Sequence, residues 1–319
     1  MELILNNLAF SLNATMPIFF VMVLGWWFKQ KKFLDETSTA KLNQLVFKFF
    51  LPAFLFIDLA TEDFLAIWDT KMVVFCFLST LLSIGIATAF SLLSKNKAER
   101  GEIIQASYRS GAATLGIVFM TNIYEDAAMM ALIIIGSVPL YNIAAAIILY
   151  VTSPENQNHG GKELWKKTAK NVVTNPIIVG ILFGMLWSVL KLPQPPMFLK
   201  TITYLGNIAS PLALIALGAS FELPNVKEKG KETLGITVLK LFFLCMIFLP
   251  IAIGLGFRQE KLVAILVMLG SATTSSSFIM AKNMGHKGVI SSCAVMVTTL
   301  LSSFTMTLWL FLLRTWNLI

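Results

Sequence analysis

Charge is scarce in this chain. Of its 319 residues only 13% are Asp, Glu, Lys or Arg, about half the share of a water-soluble domain. With 56% of residues hydrophobic, a soluble globular protein is excluded and lipid is the solvent. Cysteine is nearly absent as well. Cys76, Cys245 and Cys293 all lie inside apolar runs, which excludes a disulfide framework and leaves three small packing groups. The two histidines, His159 and His286, sit in polar connections without the neighbouring ligands a zinc site needs, so no metal is implied. No Gly-x-x-x-x-Gly-Lys-Ser/Thr loop is present to cradle ATP phosphates. Neither a nucleophile–base pair nor a metal cluster points to an enzyme. A solute moved by this chain is therefore driven by a gradient.

The formal net charge of +8 comes from residues scattered over short loops, without interleaved exposed aromatics. That pattern fits membrane topology and not nucleic acid. The apolar start runs on into Trp26 and Trp27 without a basic leader, and reads as a retained first span.

A bilayer core about 30 Å thick takes roughly 20 apolar residues of helix. Such runs predict ten transmembrane helices, near 8–28, 42–60, 71–94, 103–122, 127–151, 172–190, 200–221, 234–256, 261–281 and 288–313. The connections around 29–41, 95–101, 152–171, 222–233 and 282–287 then share one side and hold 16 Lys and Arg, against six opposite. By the positive-inside rule the richer side is cytoplasmic, which puts both termini outside the cell's inner membrane.

Shifted against itself by 159 residues, the sequence pairs Pro17 with Pro176, Gly25 with Gly184, Lys32 with Lys191 and Pro52 with Pro211. The same shift pairs Gly111 with Gly270, Ala113 with Ala272, Thr114 with Thr273 and Phe119 with Phe278. Two coincident proline pairs, from only 11 prolines, favour duplication over chance. Each half holds an odd number of spans, so the copies enter the membrane from opposite sides. The predicted fold is an all-α membrane protein of two inverted five-helix repeats, 1–152 and 172–319, joined by a connection at 153–171.

Inverted-repeat carriers bind solute near mid-membrane, between interrupted helices whose N-termini turn partial positive charge on an anion. Two poor helices stand at matching positions. Span four reads Arg109-Ser110-Gly111-Ala112-Ala113-Thr114-Leu115-Gly116, and span nine reads Gly270-Ser271-Ala272-Thr273-Thr274-Ser275-Ser276-Ser277. Glycine weakens a helix and Ser/Thr hydroxyls compete for its backbone. Small residues at these places also serve close helix packing, the competing explanation. Four ionisable residues fall inside spans: Lys48, Asp58, Arg109 and Lys240. Lys48 and Lys240 lie near the cytoplasmic ends of their spans, where long stems reach the headgroups. Arg109 can clamp a carboxylate through its fork, and Asp58 is the candidate for a coupling ion. Span five adds Pro139-Leu140-Tyr141-Asn142, a kink with donors at mid-depth. The candidate solute contacts are Arg109, Thr114, Gly116, Tyr141, Asn142, Thr273, Thr274, Ser275 and Ser276.

These stretches resemble the auxin efflux carrier family in its short bacterial form, which includes permeases for malate and malonate. The likeness rests on Met16-Pro17 through Gly25, Asn175-Pro176 through Gly184, Leu51-Pro52-Ala53, Ala209-Ser210-Pro211-Leu212-Ala213-Leu214 with Gly218, and Val138-Pro139-Leu140-Tyr141-Asn142. The resemblance implies a scaffold of spans one, two, six and seven, and a moving domain of spans three to five and eight to ten. Spans four and nine would cross as broken helices, with elevator-like access. It further implies a small organic anion as cargo, a lipid bilayer as surroundings and a homodimer through the scaffold spans. No cofactor is implied, and coupling to sodium or protons stays open. The family pattern has a proline in each crossing helix and often an asparagine beside it. Here those positions read Gly111, Val118, Ala272 and Ser276. That departure motivates a second expectation, a sensor or ligand-binding scaffold that keeps the fold without transport.

Overall fold

The computed structural model describes residues 2–61, 68–112, 120, 123–124, 128–156, 161–221 and 228–319, and among these every regular element is helical. In chain order they are α1 (Glu2–Gln30), α2 (Glu36–Ala60), α3 (Thr70–Ser91), α4 (Arg100–Tyr108), α5 (Ala128–Thr152), α6 (Gly161–Thr174), α7 (Pro176–Val189), α8 (Pro196–Ala219), α9 (Gly230–Gly254), α10 (Gln259–Gly270), α11 (Ser275–Asn283) and α12 (Val289–Thr315). Among the described residues, seven helical segments are long and apolar enough to cross a membrane, or eight if the pair Lys166–Thr174 and Pro176–Val189 is one span. That pair bends by 60°. The bend falls at Asn175, which precedes a proline and adopts ψ 121° while its side chain caps Ile177 N–H at 3.0 Å. The sixth span, expected over 172–190, is thus a membrane helix entered by an angled one. Residues 113–119 and 121–122 of the expected fourth span lie outside the described residues.

Two helices contain a π turn with an identifiable cause or consequence. In α2 it spans Val46–Phe50. Pro52 has no N–H for the Lys48 carbonyl, and the ladder steps to a wider bond from Leu51 N–H to Val46 O. In α9 it spans Leu239–Phe243, and the indole of Trp309 donates to the Leu241 carbonyl at 3.0 Å.

Helix packing uses glycine where backbones touch. A Cβ at Gly25 of α1 would collide with the Ile215 backbone of α8, and one at Gly184 of α7 with the Phe56 backbone of α2. Gly184 lies 159 residues after Gly25, and Ile215 lies 159 after Phe56, so the offset that relates the two glycines also relates their partners, in exchanged order. The helix ends match too. Lys32 and Lys191 both adopt positive φ, 60° and 47°. The N–H after each reaches back, Phe33 to Phe28 O at 2.9 Å and Leu192 to Trp187 O at 3.1 Å. Both are left-handed C-terminal caps.

The connections gather at two ends. At one, Lys229 pairs with Glu99 at 2.9 Å, His286 sits between the Ala98 and Leu149 carbonyls, and Asn283 donates to Asn43 O. At the other, Lys261 meets Asp69 at 2.6 Å, Gln194 donates to Ala60 O, and Gln259 N–H to Leu318 O.

Candidate functional site

Two helices stop in mid-bundle. α4 ends at Tyr108, and Arg109 turns extended with ψ 136°. α10 ends at Gly270, Ser271 turns extended with ψ 161°, and α11 begins at Ser275 after Thr274. The Gly111 N–H donates to Ala272 O at 2.9 Å, so the two breaks touch.

An interruption inside lipid leaves amides and carbonyls that must find partners within the protein. Here each half supplies the other. Thr273 Oγ1 donates to Ala106 O at 2.8 Å, and Gln105 Nε2 donates to Ser277 O at 2.8 Å. The Thr273 N–H is taken by Thr298 Oγ1 at 3.0 Å. Lys240 Nζ reaches Leu269 O at 2.7 Å and Tyr108 O at 3.4 Å. The expectation that Lys240 extends to the headgroups is therefore corrected. It is fully buried and turned toward the crossing, where the Leu269 and Tyr108 carbonyls accept from its ammonium. Lys48 is exposed on α2.

Arg109 is the centre of the arrangement. The side chain is 2% exposed, and its Nη2 donates to Asn142 Oδ1 and Ser276 Oγ, both at 2.9 Å. Nη1 approaches Met280 Sδ at 2.9 Å and Gln105 Oε1 at 3.3 Å. Asn142 is oriented for this by its own Nδ2, which bonds Val138 O at 2.9 Å. All four partners are neutral, and among the described residues no carboxylate pairs with the guanidinium. The α11 N-terminus at Ser275 adds partial positive charge at the same place. What the site lacks is negative charge.

A cavity of about 50 Å³ adjoins Arg109. Its lining includes Ser110, Tyr141, Asn142, Thr274, Ser275 and Ser276 from the crossing and α5, with Leu51 and Phe54 of α2, Ile177 of α7 and Ser210 of α8 across from them. A second, of about 60 Å³, lies against Ala272, Thr273, Val295 and Thr299 and shares Gly111, Ser210, Thr274 and Ser275 with the first. Each holds only a few waters. Wider polar cavities of about 340 and 450 Å³ open at the lysine-bearing end, both bordered by Lys282 and Asn283 at the end of α11.

Six of the sequence candidates, Arg109, Tyr141, Asn142, Thr274, Ser275 and Ser276, thus line one cavity. Thr273 borders the other. Thr114 and Gly116 lie outside the described residues. Asp58 lies one turn beyond Phe54 on α2 and does not line either cavity. Sequence reasoning passed over Ser210, which borders both chambers, and Glu102. The buried Glu102 carboxylate accepts from Gly288 N–H and Ser291 N–H, both at 2.9 Å, and so caps α12 from a neighbouring helix. Its position at the edge of an apolar run was the one available signal.

The chain is a polytopic helical membrane protein with two interrupted helices meeting around a buried arginine. A family model described as "Membrane transport protein" matches residues 10–310, and the chain belongs to that family, the auxin efflux carrier family. The "Uncharacterized transporter YfdV" of Escherichia coli K12 is 21% identical over 312 residues, 96% of this chain and 99% of the relative. An "Uncharacterized transporter" of Methanothermobacter thermautotrophicus is 22% identical over 94% of this chain and 97% of its own. The "Putative malonate transporter" of Rhizobium meliloti is 28% identical over 148 residues, 46% of each chain.

Proposed function

We propose that this membrane transporter carries small organic anions, mono- or dicarboxylates such as malate or malonate, as a secondary active or facilitative carrier. One observation carries the reading. Among the described residues Arg109 is a buried cation with neutral partners only, and isolating a charge in lipid costs at least about 3 kcal/mol. A bound carboxylate supplies the counter-charge, held by the arginine fork and the first amides of α11. Tyr141, Asn142, Thr274, Ser275 and Ser276 complete the contacts at this cavity, with Thr273 at the neighbouring one; Thr114 and Gly116 are carried as contacts on the sequence alone.

The same reading takes the chain as ten spans in two inverted repeats, with both termini outside. The exchanged contacts Gly25–Ile215 and Gly184–Phe56 support the repeat. The contrast between tight chambers at Arg109 and wide cavities at the lysine-bearing end supports alternating access. The scaffold wall carries Leu51, Ile177 and Ser210, and the moving wall carries Arg109 and α11. The malonate name of one relative agrees with a dicarboxylate cargo.

The test is uptake of labelled mono- and dicarboxylates into liposomes holding the purified protein, wild type beside Arg109→Gln. Uptake of a carboxylate by the wild type and its loss in the variant support the reading. A wild type that moves none of a broad panel overturns it. Ligand-dependent stabilisation without flux would instead identify a sensor of the same fold.

A further inference from the structure

The C-terminal ends of both interrupted helices converge on one amine. α4 ends at Tyr108 and α10 at Gly270, and the last carbonyls of any helix lack intrahelical partners. At this crossing Ala106 O is taken by Thr273 and Ala272 O by Gly111 N–H. The Leu269 and Tyr108 oxygens, one from each helix, face Lys240 Nζ at 2.7 and 3.4 Å. Each helix C-terminus carries about half a negative charge. Two together amount to roughly one, which a single ammonium neutralises. Lys240 is 0% exposed and, among the described residues, has no carboxylate partner.

Carbonyl oxygens at half-helix C-termini inside a membrane also suit sodium. We infer that Lys240 is a tethered cation: its ammonium fills the place between the Tyr108 and Leu269 carbonyls that a monovalent coupling ion would take, and solute movement is independent of sodium. This rests on the carrier reading for its consequence, not for its geometry. The repeat does not demand the lysine, because the position 159 residues earlier is Leu81, which is 48% exposed. The π turn at Leu239–Phe243 carries Lys240 within α9, and Trp309 satisfies the carbonyl of Leu241 in that turn.

The experiment compares purified wild type, Lys240→Ala and Lys240→Met in sodium and potassium chloride at equal ionic strength. The wild type is expected to melt at the same temperature in both salts. Lys240→Ala, which opens room at the carbonyls, melts lower in potassium and is raised by sodium in a saturable way. Lys240→Met fills the space without charge, melts lower and gains nothing from sodium. In liposomes the wild type takes up solute equally in both salts, whereas Lys240→Ala is about tenfold slower in potassium and is partly restored by sodium. A merely structural lysine gives no preference between the two ions.

Sodium-dependent melting or uptake of the wild type overturns the inference, whether or not the variants fold. So does a Lys240→Ala protein that folds and is indifferent to sodium. The melting measurements need no organic solute, so a failure of the anion-carrier reading leaves them decisive.

Discussion

Asn142 Oδ1 lies 2.9 Å from Arg109 Nη2, which makes a neutral amide the nearest thing to a counter-ion that the buried guanidinium has on α5. A carboxylate of the same size at that position would close the circuit internally. Asn142→Asp is expected to raise the melting temperature while weakening carboxylate binding at least about tenfold, or 1.4 kcal/mol. Thermal unfolding with and without ligand checks both halves. A variant that binds as tightly as wild type would show that Arg109 is not awaiting a negative charge.

Ser276 makes the other short contact to Nη2 and stands one residue inside α11. Removing its hydroxyl in Ser276→Ala costs one charge-assisted hydrogen bond, about 1.5–3 kcal/mol. The expected result is a melting temperature lowered by a few degrees and a higher KM for uptake, read from thermal unfolding and concentration-dependent uptake.

Glu102 predicts an effect on stability rather than on transport. Its two oxygens hold Gly288 N–H and Ser291 N–H, beside a Gly288 with φ 73°. Glu102→Ala leaves both amides buried without partners and is expected to destabilise by about 1–3 kcal/mol. Glu102→Gln keeps one acceptor and costs less. Thermal unfolding of the two variants gives the ordering.

Asp69 stands just before α3, outside the third span, and Lys261 holds its carboxyl below the ordinary value of 3.8 through a 2.6 Å bond. A carboxyl depressed in the folded state adds stability above that ordinary value, and loses it as pH falls through the lowered one. Because Lys261 is 43% exposed, the pair contributes only about 0–1 kcal/mol. Asp69→Asn is therefore expected to melt slightly below wild type near pH 7, with the gap closing below about pH 4. Parallel melts across that range would measure it.

The sequence made the helices legible because apolar runs of membrane length admit little else. It also located both interruptions, since Gly111, Gly270 and the Ser/Thr run weaken a helix wherever they stand. Arg109, Tyr141 and Asn142 could be nominated from one chain because polar groups are expensive in lipid. The role of Lys240 was hidden. Its position, close to a span end, fits a side chain reaching the headgroups as well as one turned inward, and only the carbonyls of Tyr108 and Leu269 decide between them. The bend at Asn175 was hidden for a similar reason: hydropathy registers where α7 begins, not the polar helix that enters it.

The most direct measurement is ligand-induced thermal stabilisation of the purified protein by a panel of small carboxylates, wild type against Arg109→Gln. A carboxylate that raises the wild-type melting temperature in a saturable way, with no effect on the variant, is the predicted result. Equal stabilisation of both proteins, or none by any carboxylate, would contradict the assignment of Arg109 as the anion's seat.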